Sequence, residues 1–191
     1  IVAIAITLLV LPLVELTGEV DEHDSVSGLL QENRAEIWAF LLSFAVIARL
    51  WFVQHDSVRH VVAYDRRVAR LLLLWALTIA FLPFPTALLS EAADDTVTKL
   101  LYIGSMVLST FFITLVEAHL VRHPELTDGA GDADPVNGAA NVAMLLLALA
   151  VSLAVPATSY FPLLLLLAAD RVADGWRRLR GRGSRRSAVG E

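Results

Sequence analysis

Long apolar runs separated by short charged loops constrain this chain more than anything else in it. Six of them read as membrane spans, near 1–16, 36–53, 68–89, 98–119, 139–155 and 160–176. Crossing a hydrocarbon core takes about 20 helical residues, with shorter helices tolerated. The fifth and sixth runs are separated by Val155-Pro156-Ala157-Thr158-Ser159, where proline favours a hairpin over one fused helix. Hydrophobic residues make up 57% of the 191 positions and charged residues 18%, more apolar sequence than a soluble domain of this length needs. The expected fold is all-α: a polytopic membrane protein with six transmembrane helices in one domain, residues 1–176, followed by an Arg-rich tail, residues 177–191.

The charges predict a direction. The loop after span 2 carries Arg59, Arg66 and Arg67, with Arg70 just inside span 3, the loop after span 4 carries Arg122, and the tail carries Arg177, Arg178, Arg180, Arg182, Arg185 and Arg186. The opposite side has Arg34 and Lys99 among many carboxylates, including Glu19, Asp21, Glu22, Asp24, Glu32, Glu91, Asp94 and Asp95. Positive charge stays inside, so both termini are expected to be cytoplasmic in a multi-pass protein of the cell membrane. Trp38, Tyr102 and Tyr160 are expected at the outer boundary, and Trp51 and Trp176 near the inner one. The net charge of −5 says little about partners, because the charges are segregated by loop. The tail reads as a disordered segment suited to contact with anionic membrane lipid, and no nucleic-acid partner is expected. No cleavable signal peptide is evident, since the first helix lacks a basic flank and an A-x-A site.

The first span carries the functional reading. Ile4, Thr7, Leu8 and Leu11 fall at i, i+3, i+4 and i+7, which sets them on one helical face. Around an axis of symmetric copies, that face would stack apolar rings at Ile4, Leu8 and Leu11 with a ring of hydroxyls at Thr7. A narrow apolar constriction gates ions by dewetting. The plainer alternative is an ordinary spanning helix whose one threonine bonds back to its own backbone.

Three strings extend this reading: the opening Ala3-Ile4-Ala5-Ile6-Thr7-Leu8-Leu9-Val10-Leu11, the pair Trp51 and His55 in a W-x-x-x-H spacing, and Phe81-Leu82-Pro83-Phe84-Pro85-Thr86-Ala87-Leu88-Leu89. Together they resemble the transmembrane protein 175 family, lysosomal potassium channels of animals and their bacterial relatives. The single six-span unit resembles a bacterial member. The resemblance covers residues 1 to about 120, and the remainder by helix count. It implies a homotetramer with a central pore lined by helix 1, and contact of Trp51 and His55 with a Phe-Ser-Asp signature at the start of that helix. This chain begins with Ile1, just past where that signature would stand, so a truncated start is expected. It also has Gln54-His55 where relatives often have His-His, and apolar Leu71 to Leu74 where they often carry an asparagine.

Other chemistry is sparse. The chain has no cysteine, so thiol chemistry and disulfides are excluded. There is no nucleotide-binding glycine loop, no metal-ligand spacing, no catalytic triad pattern and no Thr-Val-Gly-Tyr-Gly filter, so no enzyme and no cofactor are expected beyond permeant potassium ions. Among intramembrane ionisable residues, Arg49, Glu117, His119, Asp170 and Arg171 lie near the inner end, where solvation and structural roles are expected. The pairs Ser105/Ser109 and Thr110/Thr114 read as helix-packing hydroxyls, and Pro83 with Pro85 as a kink or helix end. The expected function is a potassium-permeable cation channel, modestly selective for potassium over sodium. A small secondary transporter or proton-leak protein with a site in each subunit, or a non-conducting scaffold, remains open.

Overall fold

A computed structural model describes residues 1–15, 26–92, 95–128 and 135–154. The expected sixth span, the tail, Tyr160, Asp170, Arg171 and Trp176 lie outside the described residues. The described part runs α1 (Val2–Glu15), α2 (Val26–Glu32), α3 (Arg34–Val58), α4 (Arg66–Phe81), α5 (Pro83–Glu91), α6 (Thr96–Arg122), a 3-10 turn (Pro124–Leu126) and α7 (Pro135–Ala154). No strand occurs among the described residues; an isolated bridge pairs Val61 with Thr127. Spans one to five of the sequence reading each coincide with helix. The short α2 in the first loop was not anticipated.

Among the described residues, three helical stretches are long and apolar enough to cross a membrane: Arg34–Val58, Arg66–Glu91 and Thr96–Arg122, of 25, 26 and 27 residues. At about 1.5 Å per residue they exceed a hydrocarbon thickness of about 30 Å. Large apolar side chains point outward along them, including Trp38, Phe52, Leu73, Leu77 and Phe84. Such a surface is unfavourable in water and suits lipid.

Helix ends follow local chemistry. Asp65 caps α4 by accepting from the Val68 amide at 2.7 Å. Asp95 caps α6 through the amides of Val97 and Thr98. The third span breaks where Pro83 and Pro85 remove two amide donors. The Leu82 amide then turns to Ile79 O at 3.3 Å, and the Thr86 amide resumes the ladder on Leu82 O at 3.2 Å. This is the break expected from the prolines.

α6 is the most enclosed helix. It packs against α3, α4, α5 and α7, while α1 lies against α3, α4 and α5. Tyr102, Ile113 and Val116 sit in a core with Ile47, Val68 and Ile79. Ser105, Ser109, Thr110 and Thr114 are buried on α6 as packing hydroxyls. Three of them donate to their own backbone: Ser105 to Leu101 O, Thr110 to Met106 O and Thr114 to Thr110 O. Tyr102 is fully enclosed by the bundle, where Ser43 supplies its hydroxyl with a partner.

Two glycines separate close packing from open surface. A Cβ on Gly138 of α7 would lie 2.5 Å from Thr114 Oγ1 and 2.8 Å from its Cγ2, whereas one on Gly104 meets nothing within 4 Å. Gly138→Ala should therefore destabilise the protein by about 1–3 kcal/mol through overpacking. Gly104→Ala should be neutral or stabilise by up to about 1 kcal/mol through helix propensity. Thermal melts of the detergent-solubilised variants check both.

Candidate functional site

The rest of the described chain covers one side of α1 and leaves the other bare. Ala5 and Leu9 are buried, at 1% and 3% exposure, while Ile4, Leu8 and Leu11 are 63%, 45% and 53% exposed. Thr7 is exposed as well. The four residues expected on one face thus lie together on the uncovered side. The Thr7 hydroxyl donates to Ile4 O at 2.8 Å, as the plainer reading of the helix anticipates. The oxygen keeps its lone pairs. A hydroxyl whose proton is engaged presents an acceptor, the polarity a cation needs.

Pro12 lies inside α1. Having no amide hydrogen, it leaves the Leu8 carbonyl without its helical donor. Beside it, a cavity of about 190 Å³ separates α1 from α3 and α5. Leu8, Leu9, Leu11 and Pro12 line it from α1, and Ala39, Phe40, Pro83, Thr86 and Ala87 from α3 and α5. The end of α1 therefore meets the start of α3, and the two helices run antiparallel.

Trp51 and His55 share a face one turn apart near the other end of α3. Their rings stack, with centroids 5.6 Å apart and planes inclined by 26°. The Phe-Ser-Asp partner inferred for them is not in the sequence.

Polar contacts gather at the end of the bundle where α3 and α6 finish. Ser57 donates to Glu117 Oε1 at 2.6 Å, joining α3 to α6. His119 Nε2 lies 2.7 Å from Asp65 Oδ2, joining α6 to the cap of α4. His60 Nδ1 lies 3.2 Å from Asp128 Oδ2, beside the Val62 amide on Leu126 O at 2.9 Å and the Asp128 amide on His60 O at 3.0 Å. His119, expected to be solvated, is buried instead, because Asp65 gives it a polar partner. No group of three His, Asp or Glu side chains suited to hold a metal ion occurs among the described residues.

A second polar group lies deeper. Ser43 Oγ stands 3.1 Å from Tyr102 Oη and 2.9 Å from Thr86 Oγ1, linking α3, α6 and α5. The sequence reading identified neither this group nor the His119–Asp65 contact as a unit. The local signal is weak: single polar residues on apolar helices, with partners 43 to 59 positions away.

Backbone donation from Val68, then the hydrogen bond from His119, holds the Asp65 carboxyl below its ordinary value of 3.8. A carboxyl lowered by folding contributes stability above pH 3.8, and that contribution is lost as pH falls through the folded-state value. Asp65→Asn keeps an acceptor for the helix cap but removes the carboxylate. Its melting temperature should lie below that of the wild type at neutral pH, and the two should converge as pH drops below 3.8. Melts across an acid series check this.

Comparisons with known proteins agree with this architecture. The family described as endosomal/lysosomal potassium channel TMEM175 matches residues 1–83. A potassium channel of Streptomyces collinus is 31% identical over 141 residues, an alignment covering 69% of this chain and 65% of that relative's length. The crystal structure of a lysosomal potassium-selective channel TMEM175 homologue from Chamaesiphon minutus superimposes with a TM-score of 0.68 at 26% identity, covering 90% of this chain and 91% of that one.

Proposed function

Because the chain belongs to the TMEM175 family, we propose that it is a potassium-permeable cation channel of the bacterial plasma membrane, conducting passively along α1. The observation that carries this reading is the bare face of α1, with exposed Ile4, Leu8 and Leu11 around one hydroxyl at Thr7. One subunit offers one such face. A closed path therefore needs symmetric copies, and cyclic symmetry turns the same face of each toward a common axis. The proposed assembly is a homotetramer with spans 2 to 6 as scaffold against lipid.

In this arrangement Ile4 forms the narrowest ring, with Leu8 and Leu11 as further apolar rings. An apolar ring disfavours water and so resists ion passage until it widens or wets. Four Thr7 hydroxyl oxygens replace part of a cation's water shell. Potassium sheds water more readily than sodium, so a partial shell favours potassium modestly. Trp51 and His55 anchor the beginning of the pore helix, since an indole N–H and an imidazole suit hydroxyl or carboxylate partners. The basic loops place both termini in the cytoplasm.

Purified protein in mild detergent should be tetrameric. Ile4→Asn should raise cation flux and weaken discrimination, and Leu11→Asn should do so less strongly at a wider ring. Planar-bilayer recording under a potassium/sodium gradient checks both. A monomer that conducts at channel rates, or unchanged flux in both assembled variants, overturns the central-pore reading. Turnover at carrier rates in liposomes would instead favour a secondary transporter.

Selectivity has its own test. Thr7→Val keeps the side-chain shape and removes the oxygen, so its reversal potential should shift toward equal potassium and sodium permeability. Thr7→Ser should retain most of the preference. An unchanged permeability ratio in Thr7→Val would assign selection to the aliphatic rings alone.

A further inference from the structure

A buried group of three hydroxyls joins three helices beside α1. Tyr102, Ser43 and Thr86 are 0%, 1% and 6% exposed and come from α6, α3 and α5. Thr86 Oγ1 is 2.9 Å from both Ser43 Oγ and Leu82 O, and Ser43 Oγ is 3.1 Å from Tyr102 Oη. The Thr86 hydroxyl donates to Ser43 Oγ or to Leu82 O, and a further hydrogen bond joins the Ser43 and Tyr102 hydroxyls. Each of the three hydroxyl oxygens therefore has a partner inside the bundle.

This group of hydroxyls acts on the span that, among the described residues, two prolines interrupt. Pro83 and Pro85 remove two ladder donors from the third span, so fewer backbone bonds hold the joint between α4 and α5. Apolar packing discriminates weakly in lipid, because lipid tails are as apolar as leucine. Hydrogen bonds between helices supply the specificity. Thr86 also lines the cavity of about 190 Å³ that Leu8, Leu9, Leu11 and Pro12 line from α1. α5 is thus the backstop of the second half of α1. That half contains a proline-weakened turn and borders a partly open cleft.

We infer that Tyr102, Ser43 and Thr86 are positioning residues for conduction: by fixing α5 they set how far the Leu8 and Leu11 rings stand from the pore axis. The inference rests on the reading that α1 lines the pore. Loosening the hydroxyl chain lets the second half of α1 recede into the cavity, which favours the open pore. The Ile4 ring lies toward the other end of α1 and continues to limit the current through an open channel.

Single-channel recording of purified tetramers separates positioning from mere support. Tyr102→Phe and Thr86→Val should each raise the odds of opening by about fivefold, the effect of removing one net hydrogen bond from one side of a two-state equilibrium. Unitary conductance should stay as in the wild type, and Thr86→Ser should restore wild-type gating. If Thr86→Val does not assemble, Tyr102→Phe, which keeps the ring, carries the test. Lower melting temperatures with unchanged open probability would make the hydroxyls structural and overturn the inference. Ile4→Asn is recorded alongside. Unchanged flux in that variant overturns the pore reading and this inference with it. Raised flux there, with open probability unmoved in both hydroxyl variants, overturns the positioning inference alone.

Discussion

A backbone amide in the hydrocarbon of a bilayer has no water to bond, so every spanning segment must satisfy its own ladder. The rest of this architecture depends on that constraint. It makes each apolar run a helix, and it makes the one broken span the place where other groups must intervene. At Pro83 the Leu82 amide turns back to Ile79 O, and the Thr86 amide and hydroxyl both reach Leu82 O. The same pressure governs the buried side chains of α6, where serine and threonine hydroxyls donate to their own helix. Ser105, Thr110 and Thr114 are engaged locally, which suits packing better than ion coordination.

Polar groups tie the helices at two levels. One lies where α3 and α6 finish, with Ser57–Glu117, His119–Asp65 and His60–Asp128. The other is the buried Tyr102–Ser43–Thr86 chain nearer the opposite end. Against this frame α1 buries Ala5 and Leu9 and leaves the opposite face bare. Ala5 at the contact lets α1 approach its neighbours, while Ile4, Leu8 and Leu11 stay exposed. Covering one side of an apolar helix and leaving the other free for symmetry-related copies fits the channel reading.

Much of this was legible in the sequence. Apolar run length located five spans that coincide with helix, and the paired prolines located the break, because helix geometry and missing donors are local properties. Periodicity placed Ile4, Thr7, Leu8 and Leu11 on one face, for a helix fixes angular position from spacing alone. The strings around Trp51, His55 and Pro83 carried the family resemblance. What periodicity could not supply was a destination for each polar side chain. Tyr102 reads as a boundary aromatic, and its hydroxyl meets Ser43 within the bundle. His119 reads as an end-of-helix cation and is buried against Asp65.

The sequence by itself therefore determined the elements, their breaks and the residues that share a face, all properties of one helix at a time. Only the tertiary structure decided which face of α1 is covered, because that depends on where α3, α4 and α5 stand. It alone joined Ser43, Thr86 and Tyr102, residues 43 and 59 positions apart on three helices. A hydrogen bond between helices requires rotation, depth and crossing to agree at once, and no single span encodes all three.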